Sequence, residues 1–212
     1  MGKVTSDDLF GPNEQVIFDF YERNKTRYSK ALDIGANIGI HSILMARNGW
    51  EVKSYEPDPE HCQRLRENLQ RNEVKVEVIE AAVSVGSGLA SFVRVEDNLT
   101  ANHLLGARRA YGPTELVSVK TCVPEWDWAD LAKLDCEGSE ASILLMTTPE
   151  QMKRLEMIVE VGSKENAARI YAHFSEMGIP LWSQKTGWRE VKKHRDMPKS
   201  YKEGSLFIGQ SW

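Results

Sequence analysis

The stretch that most constrains the fold is ALDIGANIG at residues 31–39, where a short apolar run ends in a loop with two glycines. An apolar helical pattern follows over residues 38–48, and a second strand pattern at 51–55 ends in Glu56 and Pro57. A strand, a glycine loop, a helix and a strand that ends in an acid are typical of nucleotide-binding α/β proteins. The sequence therefore predicts a ligand site at the carboxyl ends of these strands.

The loop differs from the loops that bind phosphates. A dinucleotide site uses G-x-G-x-x-G, and here Asn37 occupies the place of the middle glycine; the G-K-[ST] ending of a P-loop is also absent. Asp33 adds a carboxylate that repels phosphates and attracts a cation. S-adenosylmethionine (SAM) carries a sulfonium, an ammonium and no phosphate. We expect Gly35 and Gly39 to let the loop wrap around its amino-acid part, with Asp33 near the ammonium.

Glu56 supports a nucleoside ligand. An acid at the end of the second strand can accept hydrogen bonds from both hydroxyls of a ribose. Dinucleotide folds share this role, so Glu56 alone predicts a ribose and not SAM. The alternative is that Gly35 and Gly39 only form a tight turn and that Glu56 is a surface acid. We favour the ligand site because all parts of the pattern occur in register.

Composition argues against several other classes of protein. Hydrophobic residues make up 41% and charged residues 27% of the 212 residues, as in an ordinary folded domain. A formal charge of −4 argues against a surface built entirely for nucleic acid. The sequence has no apolar run long enough to span a membrane and no signal-peptide pattern at its start. Three cysteines without metal-ligand spacing favour a reducing compartment, so we expect a cytoplasmic protein.

Strand and helix patterns alternate through most of the chain. Such alternation predicts a mostly parallel sheet that is covered by helices on both faces. No repeat or long linker interrupts it, so we interpret residues 1–212 as one domain. Its expected parts are an N-terminal helical segment, a cofactor-binding core, and a C-terminal helix with a strand pair, at residues 1–30, 31–161 and 162–212.

Four motifs resemble those of the FkbM-type SAM-dependent methyltransferases. They are LDIGANIG (32–39), YEPDP (55–59), EAAVS (80–84) and KLDCEGSE (133–140). The last is similar to the family's K-[ID]-D-x-E-G-x-E signature at the end of the fourth strand. IVEVGS (158–163) is similar to a later strand of the family that ends in a glutamate.

The resemblance implies a Rossmann-like class I methyltransferase fold, with a mostly parallel seven-stranded sheet whose last strand is antiparallel. It implies SAM as cofactor and S-adenosylhomocysteine as product. The acceptor in such enzymes is often a hydroxyl of a sugar, glycolipid or polyketide, and some relatives modify amide nitrogens of peptides. We therefore expect a small-molecule or glycan acceptor. The predicted cofactor contacts are Asp33, Gly35, Ala36, Asn37, Gly39, Glu56, Pro57, Glu80, Ala81 and Asp135.

The chain departs from the family pattern at three places. Glu80 stands where the family usually has a polar amide, which concerns recognition of the adenine. Gly162 stands where a histidine often follows the late glutamate by two residues. The stretch VPEWDWAD at 123–130 replaces a commoner L-D-x-L pattern. These differences fall mainly on the side of the acceptor.

Methyl transfer to a hydroxyl requires alignment of the acceptor, exclusion of water and removal of a proton. Asp135 and Glu137 follow the predicted central strand, where the acceptor should meet the methyl group. We predict that one of them is the base or the group that orients the hydroxyl. Glu140 falls in the first turn of the next helix, and we favour a structural role for it at the helix N-terminus.

Other interpretations of this region stay open. The three neighbouring carboxylates have the oxygen ligands that Mg²⁺ prefers, although the sequence identifies no further ligand and we predict no metal site. His103 is the best alternative base, because its loop can cover the acceptor. We interpret His41 as a packing or capping residue and Cys136 as a structural residue, since neighbouring carboxylates disfavour a reactive thiolate.

A basic stretch lies near the C-terminus, with seven Lys or Arg and two acids between Lys185 and Lys202. It can bind an anionic acceptor or a nucleic acid, or it can be a solvated connection between two strands, which we favour. The [DNS]-P-P-[YFW] motif of enzymes that methylate amino groups in nucleic acids is absent, so a nucleic-acid acceptor is the second choice. A SAM-binding module without catalysis is the third.

Overall fold

The computed structural model describes residues 11–95, 102–105 and 114–212. Within these ranges the strands are β1 (Lys30–Ile34), β2 (Glu51–Tyr55), β3 (Glu77–Ile79), β4 (Ala82–Val83), β5 (Gly88–Val95), β6 (His103–Leu104), β7 (Thr114–Cys122), β8 (Leu131–Leu134), β9 (Glu156–Glu160), β10 (Leu181–Ser183), β11 (Arg189–Glu190) and β12 (Ser205–Ile208). The α-helices are α1 (Pro12–Arg23), α2 (Ile40–Arg47), α3 (Pro59–Arg71), α4 (Glu140–Leu144) and α5 (Lys164–Glu176).

A large sheet forms the centre of the molecule, in the order β11-β10-β12-β9-β8-β1-β2-β3. The pairings β3-β2, β2-β1, β1-β8 and β8-β9 are parallel, and β12 runs antiparallel between β9 and β10. The predicted α/β fold is therefore confirmed. The described sheet has eight strands where seven were predicted, because the short strand β11 adds an edge through the pairing of Arg189 with Ser183.

Buried side chains alternate between the two faces of this sheet. In β9, Met157 and Val159 pack in the cluster that contains α4 and α5, whereas Ile158 packs with α1 and α2. Phe207 of β12 follows the same rule and contacts Phe20 of α1. Strands that are apolar on both faces belong in the middle of a layered α/β fold. Helices thus cover both faces, as predicted.

A small sheet lies apart from the large one, in the order β4-β7-β5-β6. Its main pairing is antiparallel between β5 and β7, and residues 117–121 of β7 alternate in burial as in a strand with one covered face. Arg94 of β5 forms two hydrogen bonds of 2.7 Å with the carboxylate of Asp58, which is buried. The small sheet is thereby fixed to the start of α3.

Two helix ends have residues that are typical of such positions. Asp58 caps α3, and its side chain accepts a hydrogen bond of 2.9 Å from the backbone N–H of Glu60. Gly178 follows α5 with a φ of 68°, a conformation that glycine adopts readily after a helix. None of the described helices has the length and apolarity needed to cross a membrane.

Candidate active site

A cavity of about 360 Å³ opens at the carboxyl ends of β1, β2, β8 and β9. Strand β1 lies where the sheet turns back, since β2 and β3 follow on one side and β8 and β9 on the other. Ligands of open α/β sheets bind at such a position, and the volume is typical of a small-molecule site. The predicted site residues on its wall are Gly35, Ala36, Asn37, Glu56, Pro57, Ala81, His103, Asp135 and Glu137.

The glycine loop closes one side of the cavity and packs directly on β8. Gly35 has a φ of 83°, and a Cβ at this position would overlap the backbone carbonyl oxygen of Asp135. Only glycine combines this dihedral angle with so close an approach of two backbones. The loop and the residue after β8 are therefore held at a fixed separation.

Most backbone amides of the loop already have acceptors within the protein. The N–H groups of Gly35 and Ala36 donate to the carbonyl of Tyr55, at 2.9 and 3.0 Å, and that of Gly39 donates to Ala36. The N–H of Asn37 donates to Oε2 of Glu56 at 2.8 Å. Phosphate-binding loops need these groups for the ligand. The geometry thus agrees with a ligand that has no phosphate at this place.

Glu56 organises one end of the cavity, which we call the Glu56 end. The side chain is buried and accepts hydrogen bonds from the backbone N–H of Asn37 and from that of Asp58, the latter at 2.9 Å. Each carboxylate oxygen keeps a second lone pair that can accept a hydroxyl. His61 of α3 lies behind it, with Nδ1 3.6 Å from Oε1. The sequence did not single out His61.

Three predicted cofactor contacts lie outside the cavity wall, and the structure corrects their placement. Asp33 is fully buried, and its carboxylate accepts a hydrogen bond of 2.5 Å from the hydroxyl of Ser42. Gly39 precedes α2 and packs against Leu65. Glu80 is exposed and lies 3.4 Å from Arg66.

Acidic side chains meet at the opposite end of the cavity, which we call the carboxylate end. Asp135, Glu137 and Glu160 place carboxylate oxygens within 4.8 Å of one another. Lys133 of β8 is buried beside them, and its Nζ lies 3.1 Å from Oδ2 of Asp135. Parallel neighbours β8 and β9 both end here, which brings Glu160 to Asp135.

The carboxylates of this end differ in proton affinity. Burial opposes ionisation of Asp135, but the ammonium of Lys133 and a hydrogen bond with Glu160 together outweigh burial and lower the pKa of Asp135. Burial and the charge of Asp135 raise the pKa of Glu160 well above its usual range. Burial, followed by the charge of Glu140, raises the pKa of Glu137 to about 8. At neutral pH an ionised Asp135 therefore lies beside a Glu137 that is largely protonated.

The three acids that could bind Mg²⁺ in the structure differ by one residue from the three that the sequence suggested. Glu160 joins Asp135 and Glu137, whereas Glu140 turns away from them. The carboxylate of Glu140 accepts hydrogen bonds from the backbone N–H groups of Cys136 and Gly138, at 3.1 and 2.9 Å. Glu140 thus has the structural role that we favoured. Lys133 already supplies a positive charge to Asp135, and we therefore assign no metal to the cluster.

Helix α1 contributes a further acid that the sequence did not predict. Glu14 lines the cavity, and its Oε2 lies 3.0 Å from Nε2 of His41. The other ring nitrogen of His41 lies 2.9 Å from the hydroxyl of the buried Tyr21. His41 thus combines the predicted packing role with a place on the cavity wall. A helical pattern alone does not reveal which polar residue of α1 faces the cavity.

His103 lies in the small sheet and is buried on the cavity wall. Its neighbour Asn102 lies 3.5 Å from the carboxylate of Asp58, two residues after Glu56. This contact places the strand that carries His103 on the side of the Glu56 end. Cys136 is half-buried, and burial raises the pKa of its thiol well above the ordinary value, as expected for a structural cysteine.

The position of the missing family histidine is filled from elsewhere in the chain. A Cβ at Gly162 would overlap the hydroxyl and ring of Tyr201, so the tyrosine occupies the space that a side chain at 162 would take. Tyr201 lines the cavity as well. In the sequence Tyr201 falls within the basic stretch, and no local pattern links it to Gly162.

The basic stretch forms short turns and the edge strand β11 between β10 and β12. Several of its charges are near acids: Lys185 lies 3.1 Å from Glu203, and Lys192 pairs with Glu190. This arrangement agrees with the interpretation of the basic stretch as a connection between two strands.

Comparisons with known proteins identify the family. A family model described as "Methyltransferase FkbM domain" matches residues 33–179, which is more than half of the chain. No curated protein matches the sequence.

Solved structures share the fold at low sequence identity. The "delta-N METTL16 MTase domain" is 14% identical, with 93% of this chain and 82% of that chain covered and a TM-score of 0.51. A second crystal form of the METTL16 domain is 14% identical over 95% of this chain and 68% of that one, again with a TM-score of 0.51. A ribosomal protein L11 methylase from Lactobacillus delbrueckii subsp. bulgaricus is 15% identical over 95% and 80%, with a TM-score of 0.49.

Proposed function

Since the chain belongs to the FkbM methyltransferase family, a group of SAM-dependent enzymes, we propose that it methylates a hydroxyl of a sugar, glycolipid or secondary metabolite. The observation that carries the proposal is a single cavity that combines two unlike ends. The Glu56 end offers buried hydrogen-bond acceptors, and the carboxylate end offers acids of different proton affinity.

The cavity fits SAM on the evidence of its own donors and acceptors. Glu56 would accept the ribose hydroxyls, and Pro57 and Ala81 would border the adenine. Gly35 and Ala36 would face the amino-acid part, where their N–H groups are already bonded to Tyr55 and leave no phosphate cradle. Bound SAM would supply a methyl group that is activated by a positively charged sulfur.

The residues of the carboxylate end have separate tasks in this proposal. Asp135 is ionised and held by Lys133, so it orients the acceptor hydroxyl. Glu137 accepts the proton in its ionised form, which becomes populated as the pH approaches its pKa of about 8, because a general base works best when its pKa is near the operating pH. The acceptor oxygen bonds to the methyl carbon, the carbon–sulfur bond breaks toward sulfur, and the hydroxyl proton goes to Glu137.

The test begins with a calorimetric titration of the full chain with S-adenosylhomocysteine. An acceptor screen then follows the formation of S-adenosylhomocysteine from SAM, with hydroxyl-bearing glycans, capped peptides and RNA as separate arms. We expect binding in the titration and turnover in the glycan arm. Turnover confined to peptide amides or to RNA would contradict the proposed acceptor, and NAD binding in place of S-adenosylhomocysteine would contradict the proposed cofactor.

A further inference from the structure

A second cavity, of about 520 Å³, lies beside the first, and we call it the outer cavity. Its walls come from the small sheet, from the start of α4 and from the start of α5. Glu137, Ser139 and Tyr201 line both cavities. A molecule in the outer cavity therefore reaches the carboxylate end past the same glutamate that we propose as the base.

The outer cavity offers hydroxyl groups that have no structural task. Within the part of the chain that the structure describes, the side chains of Ser84, Ser139 and Ser142 form no hydrogen bond. Arg169 of α5 also lines the outer cavity and has no ion pair among the described residues. Glu165, one turn earlier on α5, is the acid nearest to it in sequence.

The remaining surface has the shape and chemistry for a ring. Tyr201 contributes an aromatic ring that cannot move toward Gly162, because the hydroxyl already fills the space above that residue. The exposed apolar side chains of Val85 and Leu105 also line the outer cavity. Aromatic and apolar surfaces with a few convergent polar groups are typical of sites for small ligands.

We propose that the outer cavity binds the methyl acceptor and that this acceptor carries a polyhydroxylated ring, such as a sugar residue. The inference rests on the proposed function, since it names the substrate class of that reaction. The ring packs on Tyr201, and its spare hydroxyls bond to Ser84, Ser139, Ser142 and Arg169. The reacting hydroxyl passes between Glu137 and Tyr201 to meet the methyl group.

The test uses analogues of S-adenosylhomocysteine in which nitrogen replaces sulfur and carries an arm in place of the transferable methyl group. One series of arm lengths ends in a hexose, and a matched series ends in a cyclohexyl ring. Calorimetry on the full chain measures the affinity of each analogue relative to S-adenosylhomocysteine. We expect at least one hexose arm to bind about fivefold tighter than its cyclohexyl counterpart, the gain of one net hydrogen bond.

Three variants test where the arm binds. Ser142→Phe fills the outer cavity from an exposed position, so it should remove the gain of the hexose arm and leave the affinity for S-adenosylhomocysteine unchanged. Leu145→Phe places the same side chain directly after the same helix, outside both cavities, and should change neither value. Arg169→Ala should reduce the gain without removing it.

The outcomes separate this inference from the proposed function. The inference fails if no hexose arm gains affinity, if the cyclohexyl arm is preferred, or if the gain survives Ser142→Phe. In each of these cases, binding of S-adenosylhomocysteine itself keeps the cofactor assignment intact. If S-adenosylhomocysteine does not bind, the proposed function fails, and this inference fails with it.

Discussion

The two ends of the main cavity differ in what holds their acids in place. At the Glu56 end, the carboxylate of Glu56 accepts hydrogen bonds from the backbone N–H groups of Asn37 and Asp58. At the carboxylate end, Asp135 lies against the side chains of Lys133 and Glu160. Backbone donors give the first end a fixed shape. Contacts between ionisable side chains give the second end groups whose charges depend on one another.

This difference suggests a division of work. The Glu56 end holds its acid by two backbone N–H groups, so it is suited to binding a nucleoside in one fixed position. The carboxylate end holds both ionised and protonated acids, so it is suited to moving a proton. Variants at the two ends should therefore affect different measurements.

The largest effect is expected from Glu137→Gln at the carboxylate end. Loss of the proposed base should lower the rate of methyl transfer about 100-fold or more, while the affinity for S-adenosylhomocysteine stays unchanged. The rate of the unaltered enzyme should rise up to pH 8 or so, where Glu137 loses its proton, and this rise should be absent in the variant. The exposed Glu150→Gln serves as control. Weakened cofactor binding in the first variant would contradict the separation of the two ends.

Gly35→Ala tests the contact that joins the two ends. The new Cβ would overlap the backbone of Asp135, and the φ of 83° disfavours any side chain, so the loop must move. We expect Tm to fall by about 5 °C or more, with losses in both cofactor affinity and rate.

Gly49 provides a matched control for this substitution. Its φ is 89°, but a Cβ there would meet nothing within 4 Å. Gly49→Ala should therefore show the cost of the dihedral angle alone, with unchanged affinity for S-adenosylhomocysteine. If the two variants lost the same amount of Tm and of affinity for S-adenosylhomocysteine, the close approach of Gly35 to β8 would not matter for function.

Glu56→Gln should act on binding alone. A hydrogen bond to a charged acceptor contributes about 1.5–3 kcal/mol, so the affinity for S-adenosylhomocysteine should fall about 10- to 100-fold. The rate at saturating SAM should change little. Glu51→Gln, at the exposed start of the same strand, is the control and should bind normally. A large fall in the saturated rate would place Glu56 in the chemistry.

A smaller effect is expected on how the free energy of unfolding depends on pH. Glu137 has a pKa of about 8 in the folded chain and an ordinary value of 4.5, so the folded state holds the proton more tightly. Its stabilising contribution is complete below pH 4.5 and is lost as the pH rises to about 8. Denaturant unfolding at pH 5 and pH 8 should show a steeper loss in the unaltered chain than in Glu137→Gln. Equal losses would contradict the raised pKa.

The smallest effect is expected from removal of divalent metals. Lys133 already neutralises Asp135, so an excess of EDTA should leave the rate of methyl transfer unchanged. Loss of activity that Mg²⁺ restores would instead show that Asp135, Glu137 and Glu160 bind a metal ion.

The Glu56 end and the carboxylate end also differ in how much of each could be predicted from the sequence. Gly35 and Glu56 line the cavity at the strand ends where the sequence predicted them, because a strand end, a turn and an acid are encoded by local patterns. Asp33 lies off the cavity wall, and its carboxylate bonds to Ser42 of the next helix. The sequence shows that the acid exists but not which way its side chain points.

The residues that were missed come from distant parts of the chain. Glu160 had a signal, since an acid at the end of a strand beside β8 must approach Asp135 once the strand order is known. Glu14 and Tyr201 had none, because helix rotation and the path of an irregular segment decide their positions. The sequence alone does not show that Tyr201 fills the space beside Gly162.

The pairing of Arg94 with Asp58 links the small sheet to the Glu56 end. The carboxylate of Asp58 holds the small sheet, while the backbone N–H of the same residue donates to Oε1 of Glu56. A displacement of the small sheet would therefore be transmitted to Glu56 through one residue. If Glu56 accepts the ribose hydroxyls as proposed, movement of that sheet would also change how firmly the cofactor is held.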